Sequence, residues 1–499
     1  MNIVMLLEMA TDGFGDRVAI QNGADRLTYA ELFAAAGSAA RTVSVSGAER
    51  LAVLDVNSLA VPVGLFAAGW AGVPFVPLNY RLTGAELDAL LGSIAPAYLV
   101  TDGDRAEQLR GAVATVVARE AFLAAVRGGA ERAGEWGMDP DAIAILLFTS
   151  GTTGAPKAAV LRHKHLVSYI FGSVEFGGAD ERDAALVSVP PYHIAGMAAI
   201  LSSIYSGRRV VQLASFDADA WLEAARAERV THAFVVPTML TRIVDVLAAD
   251  GTTLPHLRAL SYGGGKMPQP VIERAMQLLP HADFTNAYGL TETSSTITVL
   301  GPDDHRVAAA SDDPAVRRRL VSVGRALPSV ELEVRDEEGR PCAAGGSGEI
   351  HVRGEQVSGE YLGLASRMTS DGWFPTRDAG ALDADGYLFL EGRIDDVIVR
   401  GGENLSPGEI EEVLLLHPAI ADCAVIGVAD EQWGEAVAAV IVVHPGRAVD
   451  ADEVREWVKG RLRSSRAPAR VVFRAELPYN ETGKLLRRKI REELAREAS

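Results

Sequence analysis

From about residue 140 the chain alternates short apolar runs with longer amphipathic ones. Ile143–Phe148 is an unbroken apolar run of strand length, and Leu186–Val189, Arg209–Leu213, His232–Val236 and Leu257–Tyr262 repeat the pattern. Between them, Gly196–Tyr205, Asp217–Glu228 and Met239–Ala249 carry helical spacing, and a further helix starts at Pro268, a residue suited to a first helical turn. Strand and helix in alternation predict parallel sheets covered by helices, with ligands bound at the carboxyl ends of the strands. Past Val321 the pattern changes. Short β-prone runs at Val330–Val334, Gly348–Val352 and Tyr387–Leu390, set among glycines, predict a small barrel-like or meander lobe. After Arg393 a helix over Pro407–Leu415, strands at Asp422–Ile426 and Ala436–Val443, and a charged helix over Leu485–Ala498 predict a compact α+β unit. The expected organisation is α/β and multi-lobed: a body over 1–394 with its β-rich lobe at about 321–394, a hinge within Gly392–Gly402, and a small mobile domain over 395–499.

Composition narrows the function classes. The 499 residues are 48% hydrophobic and 23% charged, ordinary for a globular chain too long for one core. The formal charge of −18 argues against a nucleic-acid partner, which requires a basic face. Only Cys342 and Cys423 are present, so a disulfide framework is not expected and a reducing, cytoplasmic setting fits. The N-terminal residues lack the basic and apolar regions of a signal peptide. The apolar stretch Leu51–Val76 is interrupted by Asp55, Asn57, glycines and prolines, so no transmembrane segment is expected.

Chemistry concentrates in the Gly-rich turns. Thr149-Ser150-Gly151-Thr152-Thr153-Gly154-Ala155-Pro156-Lys157 follows the strand at Ile143–Phe148. Hydroxyls and glycines there free backbone N–H groups for phosphate oxygens, and Lys157 adds a compact positive charge. The run departs from the P-loop pattern, because Pro156 precedes the lysine and Ala158 follows it. Read locally, it is otherwise a polar strand-to-helix turn.

This loop resembles the signature of the adenylate-forming superfamily, which holds acyl-CoA synthetases, peptide-synthetase adenylation domains and firefly luciferase. Further stretches in the same order extend the likeness over nearly the whole chain: Pro190–Gly196, Tyr262–Gly265, Asn286–Thr293, Trp373–Asp378, Gly392–Asp396, Arg400–Glu411 and Asn480–Leu485. The resemblance implies ATP, Mg²⁺ and coenzyme A as cofactor and co-substrates. It makes His193 part of an aromatic gate at the acyl pocket, lays Gly263, Gly264 and Gly265 against adenine and the acyl chain, and stacks Tyr288 on adenine. Thr291 would contact the α-phosphate, and Glu292 would hold the magnesium ion, as a carboxylate suits a hard cation bridging phosphates. Asp378 would hold the ribose hydroxyls, Arg393 the ribose or phosphates, and Asp395 would be the pivot of the mobile domain. Gly401 and Gly402 would line the thiol's path, with Trp433 beside the pantetheine arm, and Lys484 would be the adenylation lysine.

The implied reaction is attack of a carboxylate on the α-phosphorus of ATP, release of pyrophosphate, and transfer of the acyl group to a thiol. No acidic residue stands in Tyr192–Met197 to pair with an amino-acid ammonium, and the pocket segments Val235-Val236-Pro237, Gly263–Gly265 and Ser294–Ile297 are small, apolar or hydroxylic. An uncharged acyl or aryl acid is therefore expected, with an acyl carrier protein as the alternative acceptor and a silent nucleotide-binding homologue as the reading from another class. Arg377 occupies a position where the family usually has glycine, and Ala158 likewise follows Lys157 in place of glycine. Glycine at the former would permit an unusual backbone angle, so arginine there marks a local departure.

Overall fold

The computed structural model describes residues 1–127, 133–149, 157–401, 403–479 and 485–497. Among them the strands form four sheets. The largest has nine strands, in the order Arg325–Ala326, Ser295–Leu300, Asp283–Leu290, Ala259–Gly263, His232–Val235, Ala184–Val187, Arg209–Gln212, Val18–Asn22 and Asp25–Thr28. Its centre, from Asp283–Leu290 to Val18–Asn22, is parallel throughout. Ala184–Val187 and Arg209–Gln212 at its centre are buried along nearly their whole length, whereas Asp283–Leu290 alternates buried and less buried positions. A six-stranded sheet, in the order Thr115–Ala118, Ala97–Thr101, Arg50–Leu54, Phe75–Pro77, Ile143–Thr149 and Lys157–Arg162, is parallel except for its last strand. Helices Val4–Phe14, Tyr29–Ser46, Ala60–Ala71 and Ile194–Ser206 contribute to one core that joins elements of both sheets. Ala60–Ala71 is buried along nearly its whole length, which explains its lack of a polar face.

The β-rich lobe is a meander. Glu331–Arg335, Ser347–Arg353, Phe374–Leu382 and Leu388–Arg393 pair antiparallel in chain order. After the short turn Ile394–Asp396 the chain enters a five-stranded sheet whose long pair is Ile420–Asp430 with Gly434–Val443. Each face of this sheet has its own apolar core. One includes Ile410, Leu414, Val454 and Val458 from helices Pro407–Leu415 and Ala451–Lys459. The other includes Ile490 and Leu494 from helix Arg487–Glu497. Contacts reaching back to the body include polar ones. Lys266 Nζ lies 2.7 Å from a Glu412 carboxylate oxygen and donates to the Gly408 carbonyl at 2.8 Å. Ser406 Oγ caps helix Pro407–Leu415 by accepting the Glu409 N–H and donates to the Glu391 carbonyl at 2.8 Å.

One feature differs from the sequence expectation. The phosphate-loop stretch joins a strand to an antiparallel strand, Lys157–Arg162, and not to a helix. That strand is recruited by Tyr361, which bridges to Ala159, and by Val160 and Leu362, whose N–H groups donate to Glu360 O and Ala158 O. The first 140 residues also supply strands to both large sheets, because Val18–Asn22 pairs with Arg209–Gln212. No helix among the described residues is long and apolar enough to cross a membrane.

The C-terminal sheet is tied to its last helix by a buried ion pair. Arg487 Nη2 donates to both oxygens of Glu411 at 2.6 Å, and Glu411 also accepts the Val425 N–H at 2.8 Å. Glu411→Gln leaves a largely buried guanidinium without its countercharge, and is expected to destabilise this unit by about 3 kcal/mol in urea denaturation.

Candidate active site

The parallel strands deliver their carboxyl ends to one edge. Val235, Gly263 and Leu290 end three adjacent strands there, and Tyr192 and His193 follow a fourth, Ala184–Val187. The second sheet joins them: Tyr80, beyond Phe75–Pro77, packs edge-on to Tyr192 with ring centroids 5.6 Å apart. Gly263 is required by crowding, since a Cβ would lie 2.1 Å from the Ala287 carbonyl oxygen of the neighbouring strand. Gly264 and Gly265 are exposed beyond it.

Tyr288, Asp378 and Arg393 meet at this edge. Tyr288 Oη donates to Asp378 Oδ2 at 2.7 Å, and Arg393 Nε lies 2.9 Å from Asp378 Oδ1. Arg393 also donates to the Thr376 carbonyl at 3.1 Å. Burial and then the Asp378 carboxylate push the Tyr288 phenol well above its usual pKa. Loss of hydration disfavours the charged Arg393, but Asp378, Tyr288 and Glu292 outweigh it and raise its pKa. The guanidinium therefore stays charged beside an acceptor carboxylate.

Thr291 and Glu292 sit on the 3₁₀ turn Thr291–Thr293 that follows strand Asp283–Leu290. The turn is held in an uncommon backbone path, with Ser294 at φ 58° and Ser295 at φ 120°. Buried Ser294 fixes it through Oγ, which donates to the Gln356 carbonyl at 2.8 Å. Glu292 is buried, and its carboxylate accepts a hydrogen bond from the Tyr361 hydroxyl. Burial and then the Glu292 charge push the Tyr361 phenol up to about 12. The Glu292 carbonyl accepts the Ser358 N–H at 2.7 Å. Residues 358–362 thus strap the strand Lys157–Arg162 to the Glu292 turn. Tyr361 escaped the sequence reading, since a lone tyrosine in a loop carries no local signal. Among the described residues no three His, Cys, Asp or Glu side chains group to hold a metal by themselves. A single buried carboxylate fits a magnesium ion whose other ligands are phosphate oxygens and water.

Thr149 and Lys157 face each other as the last register pair of their hairpin, and Thr149 Oγ1 donates to the Lys157 carbonyl at 3.4 Å. Ser150, Gly151, Thr152, Thr153, Gly154, Gly402 and Lys484 lie outside the described residues. His193 precedes helix Ile194–Ser206, with its ring 4.5 Å from that of Tyr192. Its Nε2 is shut off from solvent and has no hydrogen-bond partner among the described residues. Burial, assisted by Arg81, lowers the His193 pKa to about 4, so the ring is neutral at pH 7. Gly401, at φ 59°, lies against Trp433, where a Cβ would come within 2.7 Å of the indole. The Trp433 ring is exposed on its other side and lies under the Arg400 guanidinium at 5.4 Å.

Arg377 stands in the left-handed region at φ 65°, the conformation for which glycine is suited. Its N–H donates to Glu349 Oε1 at 2.9 Å, and its guanidinium pairs with Asp395, next to Asp396 in the turn Ile394–Asp396.

A ligase body with a nucleotide-fitting edge and a small C-terminal unit is the class these features define. The model of the AMP-binding enzyme family matches residues 7–362, and that of the AMP-binding enzyme C-terminal domain matches residues 409–484. A feruloyl-CoA synthase of Amycolatopsis sp. is 34% identical, over 95% of this chain and 95% of its own. A fatty acid–acyl-carrier-protein ligase, ScoC of Streptomyces coeruleorubidus, is 32% identical over 93% of this chain and 91% of its own. The ATP-bound crystal structure of MatB from Rhodopseudomonas palustris superimposes with a TM-score of 0.88 at 30% identity, covering 99% of both chains. The chain belongs to the AMP-binding enzyme family, in its acid–CoA ligase branch. It is an ATP-dependent, AMP-forming enzyme.

Four buried histidines set a pH dependence. Burial first lowers His163, His165, His193 and His232 to about 4 from an ordinary value of 6.5. Between those values the unfolded chain binds protons that the fold refuses, so their contribution to stability falls as pH drops from about 6.5 toward 4. Calorimetry near pH 5.5, in buffers of different ionisation enthalpy, is expected to show proton uptake on unfolding, reduced in His193→Asn.

Proposed function

We propose that the chain activates an uncharged acyl or aryl carboxylic acid as its adenylate and passes the acyl group to the thiol of coenzyme A. The observation that carries this reading is Asp378, held between Tyr288 and Arg393 beside the Glu292 turn. An ionised carboxylate has about four lone-pair sites. Tyr288 and Arg393 orient it, and a carboxylate acceptor held in this way suits the paired hydroxyls of a ribose. Arg393 keeps that carboxylate ionised and adds positive charge toward the phosphates. Thr291 would donate to the α-phosphate, while Thr149 and Lys157 place a hydroxyl and a charge at the mouth of the phosphate loop.

The substrate carboxylate attacks the α-phosphorus and pyrophosphate leaves, so two anions must meet. Magnesium supplies charge neutralisation of the triphosphate, and Glu292, fixed by Tyr361, would hold it. Lys484 would supply positive charge between carboxylate and α-phosphate, the kind of preorganised stabilisation that lowers such barriers. The thiol then attacks the acyl carbonyl carbon and AMP departs. Gly401 and Gly402 would admit the thiol's slender arm along Trp433. His193, neutral and with its Nε2 unpartnered among the described residues, would serve with Tyr192 as the gate beside the acyl pocket. Val236, packed near Gly264, is small and apolar, which suits an uncharged acyl tail.

For this cycle we divide the chain into a body over 1–394, including the lobe at 321–394, and a mobile domain over 395–499 turning at Asp395. We assign the protein to the cytoplasm, since both cysteines are unpaired.

Lys484→Ala is expected to lower adenylate formation by about 10²–10³-fold, measured as pyrophosphate release. Thioester formation from supplied acyl-AMP should stay within severalfold of the parent; equal loss of both steps counts against the assigned role. Tyr361→Phe frees the Glu292 carboxylate and is expected to raise the magnesium requirement for pyrophosphate release about tenfold, as loss of a ligand's supporting partner does. An unchanged magnesium titration would remove Glu292 from the metal site.

A further inference from the structure

Resting on the two-step reading above, we propose that Arg377 is a positioning residue that latches the hinge turn to the body. It thereby sets how long the C-terminal domain stays in the arrangement seen here.

The first observation is the backbone. A left-handed conformation at φ 65° disfavours arginine, and glycine, asparagine or aspartate would occupy it more readily. Such outliers persist where surrounding structure over-determines them and the side chain has work to do. Here Glu349 fixes the backbone by accepting the Arg377 N–H. The second observation is where the side chain goes. The guanidinium leaves its own strand, Phe374–Leu382, to pair with Asp395. The third is the next residue. Asp396 faces the opposite unit, with its carboxylate 3.9 Å from Arg491 of helix Arg487–Glu497. Two successive carboxylates of one three-residue turn are thus addressed by arginines from opposite sides.

A change of backbone angle at Asp395 swings its carboxylate relative to Arg377, so the pair must part before the turn can rotate. The strength suits a device that opens every cycle. Both partners are about half exposed, 43% and 53%, so the pair is hydrated and salt-sensitive. Exposed pairs of this kind bias an equilibrium by about two- to fivefold, enough to shift dwell times without locking the domain.

The test uses the full-length protein. Arg377→Asn removes the charge while keeping a side chain that tolerates the left-handed backbone, and Arg377→Lys keeps the charge. Tryptic cleavage after Arg393 or Arg400, followed by mass spectrometry without substrates, reads the freedom of the hinge. R377N is expected to be cut about two- to fivefold faster than the parent at low salt, with R377K near the parent. In about 0.5 M NaCl the parent should approach R377N, while R377N changes little. The ratio of the two half-reactions, pyrophosphate release against thioester formation from supplied acyl-AMP, should shift by a similar factor, with the KM for ATP unchanged. Equal cleavage of R377N and parent at low salt overturns the latch. So does a raised KM for ATP with both half-reactions falling together, which would put Arg377 on the nucleotide. Cleavage needs no substrate, so it decides the latch separately: a parent enzyme that fails to form a thioester overturns the reaction proposed above and leaves the cleavage result standing.

Discussion

Asp378 is gripped from two directions, by a phenol from the end of the nine-stranded sheet and by a guanidinium from the strand that leads into the turn Ile394–Asp396. Among the described residues the strands of the β-rich lobe that carries Asp378 and Arg393 form a sheet separate from the large one, so contacts such as this one, together with the backbone bonds of Leu388 to Val323 and Gly324, fix its position. The lobe's apolar cluster includes the Tyr288 ring itself, together with Ile297 and Phe374. One side chain therefore packs two layers together and aims a polar group at the site. The low polarity that strengthens the Tyr288–Asp378 hydrogen bond also makes Arg393 necessary, because an unpaired carboxylate there would be costly.

Residues 358–362 perform a parallel service at the Glu292 turn. They add a short β-contact to the hairpin and place Tyr361 against Glu292. Hairpin, turn and lobe become one rigid frame around the space where phosphates would lie. Rigid framing matters because the chemistry asks for little beyond positioning and charge compensation.

Much of this was legible in the sequence because it is local. Apolar runs such as Ile143–Phe148 mark buried strands, and Asn286–Thr293 and Trp373–Asp378 are each contiguous motifs, although the Tyr288–Asp378 contact that joins them spans 90 residues. What was not legible depends on chain reversals and distant pairing. The sequence cannot say that Val18–Asn22 pairs with Arg209–Gln212, nor that Lys157–Arg162 turns back on Ile143–Thr149, since neither partner advertises the other. Tyr361 is separated from Glu292 by 69 residues and becomes meaningful only once the strap is in place. Arg377 is an intermediate case. Its residue type marked the departure, and the backbone angle explains why glycine is suited there. Its partner, Asp395, required the fold.

The C-terminal sheet carries an apolar core on each face. Its contacts with the body include Lys266 on Gly408 and Glu412, Ser406 on Glu391, and Arg377 on Asp395. Water can take over each of these groups as it parts. Because both cores lie within the unit, a change in its orientation would leave its own hydrophobic interior shut. Its internal stability would then be uncoupled from its orientation.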